Sequence, residues 1–328
     1  MSLQTIEYCP GTLAKGFNTY SKACLNKVFS GKKVHHILPY YSPTSNNETD
    51  ELFEENRKHL SISGVQEKFS VILEKNKLRL VKESERGTHI LKPIPAFGKK
   101  SDQIPANEHL TMQIARQVYS INTAENALIF FKNGAPAYIT KRFDIDKNGN
   151  KLAQEDFASL AERTPQTHGE HYKYLGNYLE LFNIMQKYVP TYIIEAPKLL
   201  KILIFNYLFS NGDAHFKNFS LLETSMGDFR LSPAYDLLSS RIHIDDRDFA
   251  LDDALLPRNL AKGKISTQFL ILAKNASIKE KIFNDILELM LNQSPLVKEM
   301  IFSSFMNEAT KNNYWQSYQT RLKQLIKK

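Results

Sequence analysis

The stretch that decides the fold reads N-G-D-A-H-F-K-N-F and occupies residues 211–219. It follows an apolar segment that predicts a buried helix over 197–209, and it precedes a short predicted strand over 219–222. Asp213 and Asn218 stand in it with the spacing Asp-x-x-x-x-Asn. Taken alone, such a spacing is usually a turn, so its meaning depends on the rest of the chain.

The residue types in this stretch suit phosphoryl transfer. That reaction needs a carboxylate to orient and deprotonate the attacking hydroxyl, and an oxygen ligand nearby for Mg²⁺. Asp213 and Asn218 offer both groups from one loop, with the spacing of protein-kinase catalytic loops. Farther along, past a predicted hairpin that turns at 226–228, Pro-Ala-Tyr-Asp ends at Asp236. Asp236 is the candidate for the second Mg²⁺ ligand.

Composition limits the remaining possibilities. The 328 residues allow two or three domains, and the formal charge of +8 suits nucleic acid, anionic ligands or acidic protein partners. No apolar run is long enough to span a bilayer and the N-terminus resembles no secretory signal, so we expect a cytoplasmic protein without a membrane partner, with export as an effector left open. The basic residues of 311–328 predict a terminal helix with a solvated basic face.

The first 58 residues are polar and irregular and predict an extension packed on the lobe that follows. Cys9 and Cys24, with His35 and His36, offer zinc ligands. Structural zinc sites, however, use closely spaced ligand pairs, and these residues contain no such pair. We therefore favour two buried structural thiols, which fits a reducing compartment.

The rest of the chain predicts an α+β protein with two lobes. A small β-rich N-lobe over 59–145 precedes a larger, mostly helical C-lobe over 146–328. The N-lobe pattern predicts one antiparallel sheet, with a helix inserted after its third strand. The predicted strands are 69–73, 78–81, 89–92, 127–131 and 137–140, and the predicted helix is 107–119.

Two features of the N-lobe fit nucleotide phosphates. The loop Ser61–Lys68 is rich in small and polar residues and offers backbone N–H groups, although it has only one glycine. Lys92 ends the third strand, from which it can reach phosphates, and Glu108 on the following helix can orient it. An ordinary surface ion pair is the alternative for these two residues.

Seven motifs occur in order between residues 61 and 240: S-I-S-G-V-Q-E-K, I-L-K-P, N-E-H-L, K-R-F-D, Q-E-D-F, N-G-D-A-H-F-K-N-F and L-S-P-A-Y-D-L-L-S. Together they resemble the HipA-like serine/threonine kinases, which are toxins of bacterial toxin–antitoxin modules. The resemblance implies a protein-kinase-like fold. The short segment before the phosphate loop, and the serine pair in that loop, resemble the short HipT toxins of tripartite modules.

The resemblance also implies roles for individual residues. It assigns the catalytic base to Asp213, the Mg²⁺ ligands to Asn218 and Asp236, the phosphate-binding lysine to Lys92 and autophosphorylation to Ser61 and Ser63. Glu108 supports Lys92. The residues expected to bind ATP are Ser63, Gly64, Val65, Gln66, Glu67, Lys68, Lys92, Lys141, Arg142, Phe143, His215, Lys217, Asn218, Tyr235 and Asp236.

Two positions depart from the expected pattern. The family hinge often begins with Glu, where this chain has Lys141, so only backbone contacts to adenine carry over there. His215 stands two places after Asp213, where protein kinases usually have Lys.

The resemblance implies partners as well. They are a protein substrate, for which an aminoacyl-tRNA synthetase is the natural guess, and a helix-turn-helix antitoxin. A third is a small protein that resembles the extra N-terminal subdomain which HipA carries before its phosphate loop. DNA would be reached only through the antitoxin. Two alternatives remain open: a catalytically silent module that bridges an antitoxin repressor and DNA, and a kinase of lipids or small molecules.

Overall fold

The computed structural model describes residues 6–43, 53, 67–83, 85–245 and 248–326. The chain forms two compact units. The β-rich unit is made of residues 1–113, 124–143 and 299–312, and the helical unit of 114–123, 144–298 and 313–328. The C-terminal residues 299–312 thus belong with the N-terminal half of the chain, an association that no local sequence pattern reveals.

The β-rich unit is built on a five-stranded antiparallel sheet. Its strands are β1 (Phe69–Glu74), β2 (Lys77–Leu80), β3 (His89–Lys92), β4 (Asn126–Phe130) and β5 (Pro136–Lys141), in the order β2-β1-β3-β5-β4. Its helices are α1 (Lys22–Val28) and the start of α2 (Ile104–Gln117), which is inserted between β3 and β4. The predicted sheet with one helix after its third strand is confirmed.

The N-terminal segment is part of the core of this unit. The Tyr20 hydroxyl donates to the carbonyl oxygen of Leu128 at 2.6 Å, so the segment is hydrogen-bonded to β4. The Leu38 N–H donates to Phe130 O at 2.7 Å, and Phe130 N–H donates to His36 O at 2.8 Å. These bonds extend the sheet beyond β4 by one short stretch, although the polar sequence gave no strand pattern there.

The two cysteines are free and buried, as predicted. Cys9 is 0% exposed and Cys24 is 1% exposed. Within the described part of the chain, no group of three or more His, Cys, Asp or Glu side chains is arranged to hold a metal ion. These observations favour structural thiols over a zinc site.

Helices dominate the helical unit. They are α3 (Phe157–Leu160), α4 (Pro165–His168), α5 (Leu179–Tyr188), α6 (Tyr192–Leu208), α7 (Ile265–Asn275), α8 (Glu280–Leu291), the first part of α9 (Ser294–Phe302) and most of α10 (Glu308–Ile326). A three-stranded antiparallel sheet accompanies them. Its strands are β6 (Gln154–Asp156), β7 (Ser220–Glu223) and β8 (Phe229–Leu231), in the order β6-β7-β8.

Helix α6 ends shortly before residues 211–219, which we call the catalytic stretch after the role that the resemblance implies. The helix begins earlier than the sequence predicts. A proline is most common in the first turn of a helix, and we therefore expected the start at Pro197. In the structure Pro197 lies inside the helix. Its missing N–H leaves the carbonyl of Ile193 without an intrahelical donor, and Ile193 is 83% exposed, so water can satisfy that group.

The C-terminal helix α10 does not present a uniformly solvated basic face, and this prediction was wrong. Arg321 is 2% exposed, its guanidinium lies 4.9 Å from the ring centroid of Tyr207, and it forms an ion pair with Asp248. Its Nε donates to Ser210 Oγ at 3.2 Å, so it supports the start of the catalytic stretch. Its partners Tyr207, Ser210 and Asp248 are distant in sequence, and helical spacing alone could not reveal them.

In the described ranges, no helix is both long and apolar enough to cross a membrane.

Candidate active site

The catalytic stretch begins at a fixed bend after α6. Ser210 adopts a left-handed backbone conformation, with φ at +52°. Its carbonyl oxygen accepts from Ser240 Oγ at 3.1 Å, and Ser240 Oγ in turn accepts from Gly212 N at 2.7 Å. These bonds fix the backbone next to Asp213, and so fix the position from which its side chain extends.

A single 3₁₀ turn over Phe216–Asn218 closes the stretch. The Asn218 N–H donates to His215 O at 2.9 Å, and the His215 N–H donates to Asn218 Oδ1 at 3.0 Å. Phe216 is fully buried and anchors the turn in the core. The amide of Asn218 is therefore held in one orientation, and its oxygen has a second lone pair to offer.

Asp213 is held by a residue that sequence reasoning missed. The hydroxyl of Tyr174 donates to Asp213 Oδ1 at 2.8 Å. Tyr174 lies in the 3₁₀ turn Tyr172–Tyr174, and its ring packs edge-on against His215 with centroids 5.1 Å apart. Asp213 and Tyr174 are 39 positions apart, and no motif links them.

Asp236 follows Tyr235, and Tyr235 contacts the stretch that carries Asp213 and Asn218. The Tyr235 hydroxyl donates to the carbonyl oxygen of Lys217 at 2.9 Å, and Tyr235 lines one small pocket together with Asn218 and Asn211. Asp236 itself adopts a left-handed conformation with φ at +54°. Such a conformation costs energy in most residues but is tolerated by Asp and Asn, and it is common at functional sites.

His215 is a neutral imidazole surrounded by charge. Burial lowers its pKa to about 4, opposed by the negative charges of Asp213 and Asp236. Its side chain is 7% exposed, and its Nδ1 has no hydrogen-bond partner among the described residues. His215 therefore adds no positive charge beside Asp213 at neutral pH.

Lys217 is paired with a carboxylate. Its Nζ lies 2.6 Å from Asp156 Oδ2, and the two side chains are 33% and 21% exposed. Asp156 also caps helix α3, because its Oδ1 accepts from Ser159 N at 2.9 Å. The Q-E-D-F motif that contains Asp156 was noticed in the sequence, but its contact with Lys217 was not predicted.

In the β-rich unit, Lys92 and Glu108 form a buried ion pair. Lys92 Nζ lies 2.6 Å from Glu108 Oε1, with exposures of 5% and 2%. The ammonium also lies 5.2 Å from the ring centroid of Tyr138. The alternative of an ordinary surface pair is therefore wrong, since both charges are removed from water.

Among the hinge candidates, Lys141 ends strand β5 and Arg142 and Phe143 follow it, and all three are half-buried. The Lys141 N–H donates to Glu125 O at 2.7 Å, and the Arg142 N–H donates to Thr88 O at 3.0 Å. Lys141 Nζ donates to Ser30 Oγ at 2.9 Å. Both backbone N–H groups are thus engaged in hydrogen bonds within the β-rich unit.

Part of the predicted phosphate loop lies outside the described residues. These positions are Ser61, Ser63, Gly64, Val65 and Gln66. Of the remainder, Glu67 is half-buried and Lys68 is exposed, and both directly precede β1.

A model of the HipA-like C-terminal domain matches residues 60–296. The chain belongs to this family. A relative from Haemophilus influenzae, named "Putative kinase", is 24% identical over 86% of this chain and 81% of its own length. The serine/threonine-protein kinase toxin HipA of Shewanella oneidensis is 23% identical over 73% of this chain and 59% of its own length. This chain therefore spans less than two thirds of that toxin.

The fold is shared with a solved HipA-like structure. The Shewanella oneidensis HipA, described in complex with HipB and operator DNA, matches 87% of this chain and 72% of its own length. The TM-score is 0.61 at 19% sequence identity. The predicted α+β, protein-kinase-like fold, with a β-rich part and a mostly helical part, is thereby confirmed.

Proposed function

We propose that this HipA-like chain is an ATP- and Mg²⁺-dependent serine/threonine protein kinase. The observation that carries the proposal is the loop that presents Asp213 and Asn218 from one hydrogen-bonded frame, with Asp236 held beside it through Tyr235. In protein kinases a carboxylate accepts the proton of the substrate hydroxyl, and an Asp and an Asn hold the Mg²⁺ ions. The named kinases among the relatives support the same class of reaction.

The donor set fits Mg²⁺. This ion takes oxygen ligands and usually keeps one or two carboxylates, with water and substrate phosphates completing its shell. Asn218 Oδ1 accepts only one hydrogen bond from the loop and keeps a lone pair, and Asp236 supplies a carboxylate. When bound, the ion neutralises charge on the transferred phosphoryl group.

The chain's own residues then have distinct tasks. Asp213 accepts the proton of the attacking hydroxyl and orients it. The neutral His215 leaves the charge of that carboxylate uncompensated, which suits a base. Lys92, held by Glu108, and Lys217, held by Asp156, bind nucleotide phosphates.

The finer assignments follow from the family. The chain acts as the toxin of a type II toxin–antitoxin module, inhibits translation by phosphorylating a protein such as an aminoacyl-tRNA synthetase, and autophosphorylates at Ser61 or Ser63. A helix-turn-helix antitoxin and a small subdomain-like protein are the proposed partners. The described HipA–HipB–DNA complex of the Shewanella relative supports an antitoxin partner of this kind.

The decisive experiment is Asp213→Gln. We expect phosphoryl transfer from labelled ATP to fall by at least about a hundred-fold, because the general base is lost, while ATP affinity changes little. The control is Asp285→Gln, which makes the same change of charge at an exposed position on α8. Transfer is followed with Mg²⁺, labelled ATP and a bacterial lysate, and intact-mass spectrometry locates phosphate on the protein itself.

The outcomes separate the candidate functions. Labelled protein in the lysate supports the protein kinase, whereas labelled lipid or metabolite alone would reassign the substrate class. Near-wild-type transfer by Asp213→Gln would show that the base is misassigned. ATP binding without any transfer by the wild type would favour the silent binding module.

A further inference from the structure

The hydroxyl of Tyr174 contacts the Asp213 carboxylate, but the function proposed above gives Tyr174 no role. Over the described ranges, Tyr174 is the one side chain that donates a hydrogen bond to the Asp213 carboxylate, and it does so at Oδ1, 2.8 Å away. The second oxygen, Oδ2, accepts none from those residues. The two oxygens of the carboxylate are therefore distinguished by their surroundings.

Tyr174 is held firmly on its backbone side. Its carbonyl oxygen accepts from Asp252 N at 2.9 Å, and the next carbonyl, that of Leu175, accepts from Arg163 Nη1 at 2.6 Å. The guanidinium of Arg163 also lies 4.5 Å from the ring centroid of Phe216 in the catalytic stretch and pairs with Glu180. The turn that carries Tyr174 is thus tied to the stretch that carries Asp213.

The ring and the following residues are held as well. The Tyr174 ring packs on His215 at 5.1 Å, and the Tyr178 hydroxyl donates to Ala214 O at 2.7 Å. Gly176 lies against Glu180, where an added Cβ would come within 2.2 Å of its carboxylate oxygen. A phenol fixed on so many sides is a permanent part of the site rather than a gate that swings away from the base.

We propose that Tyr174 is a positioning residue for the transfer reaction: its hydroxyl holds Oδ1 of Asp213 so that Oδ2 faces the attacking hydroxyl. The inference rests on the proposed function. An aspartate carboxylate whose side-chain torsions are unrestrained samples several orientations, and only one of them is productive. A hydrogen bond to one oxygen selects that orientation and leaves the other oxygen free to accept the proton.

The first test is kinetic and uses Tyr174→Phe, which removes only the hydroxyl. We expect kcat to fall about ten-fold, in the range that one hydrogen bond to a charged group supplies, while KM for ATP stays within about two-fold of wild type. The matched control is Tyr192→Phe, whose lost hydroxyl donates to the carbonyl of Ala276 at 2.9 Å in the same unit. It should keep the wild-type kcat.

The second test needs no activity. In protein labelled with ¹³C at the aspartate carboxyl carbons, the resonance of Asp213 is identified by its absence from Asp213→Gln. It should move in Tyr174→Phe and stay in place in Tyr192→Phe. An unmoved resonance would overturn the contact, even if the wild type transfers no phosphate and the proposed function itself fails.

The remaining outcomes are also decisive. A wild-type kcat in Tyr174→Phe would overturn the positioning role and leave the kinase assignment intact. An increased kcat would show that the hydroxyl restrains Asp213, which contradicts the proposal. A parallel rise in KM for ATP would indicate general damage to the nucleotide site and would count equally against it.

Discussion

Two lysine–carboxylate pairs, one in each unit, have the same length and different surroundings. Lys92–Glu108 and Lys217–Asp156 both measure 2.6 Å, yet the first is almost fully buried and the second is about a quarter exposed. In water an ion pair is worth little, because solvent screens it and competes for both partners. Out of water each charge depends on its partner. The distance between partners therefore says less about a pair than its exposure does.

The largest loss of stability is expected for Glu108→Gln. It removes the negative charge 2.6 Å from the buried Lys92 ammonium, and we expect a loss of about 3–5 kcal/mol in the free energy of unfolding. Urea unfolding followed by circular dichroism measures it. The control Glu74→Gln breaks the partly exposed pair with Arg79 in the same unit and should leave the urea midpoint nearly unchanged.

The double variant Lys92→Met/Glu108→Leu refines this result. Replacing both charges by apolar groups of similar volume should recover most of the lost stability, without restoring phosphoryl transfer. A Glu108→Gln variant that unfolds like wild type would mean that burial does not decide the strength of the pair.

Two buried imidazoles in the β-rich unit respond to burial by staying neutral, whereas Lys92 is paired with a carboxylate. Among the residues that the structure describes, no carboxylate pairs with His89 or His109, and burial lowers the pKa of each to about 4. His89 Nε2–H donates to Val28 O at 2.8 Å, a bond that the neutral ring makes. Where Lys92 is paired with a buried carboxylate, these rings remain uncharged.

A pH titration of stability follows from this difference. The folded-state pKa values lie below the ordinary histidine value of 6.5, so the unfolded chain binds protons first as the pH falls. The stabilisation from keeping the rings neutral is complete above pH ~6.5 and is lost as the pH falls from ~6.5 to ~4, by up to about 3 kcal/mol for each ring. Urea unfolding at a series of pH values measures the loss.

The variant His89→Gln provides the control for that titration. It should lower the stability at pH 7 and reduce the acid dependence, since one buried ring with a lowered pKa is gone while those of His109 and His215 remain. An acid dependence as steep as that of wild type would show that other groups are responsible.

The smallest effect is expected for Asp156→Asn in the helical unit. Asparagine caps a helix as well as aspartate, so only the charge opposite Lys217 is lost, and the free energy of unfolding should change by less than about 1 kcal/mol. Trp315, the single tryptophan, lies in α10 and reports unfolding of this unit by fluorescence. Asp253→Asn, which breaks the exposed pair with Arg258, is the matched control. A loss as large as that of Glu108→Gln would erase the distinction between the two pairs.

The sequence predicted the parts of the molecule in which the information is local. The strand and helix patterns of the β-rich unit and the spacing of Asp213 and Asn218 all lie within short windows. Tyr174 and Asp156 were missed as partners of the catalytic stretch because their contacts join residues 39 and 61 positions apart. The sequence around a tyrosine or aspartate in a polar segment does not indicate which distant residue it contacts. The same reason hid the contact of Arg321 with Ser210, 111 positions away.

The left-handed backbone of Asp236 has a consequence for how this fold can diverge. A φ of +54° strains most residues that carry a Cβ, and Gly, Asn and Asp adopt it most readily. Substitution of Asp236 is therefore tolerated best when the new residue is asparagine or glycine. Glycine removes the carboxylate and relieves the strain of the backbone. Under the proposed function, this single exchange would remove a metal ligand while relieving the backbone strain at this position. Inactive descendants of this architecture should be recognisable by glycine at the position of Asp236.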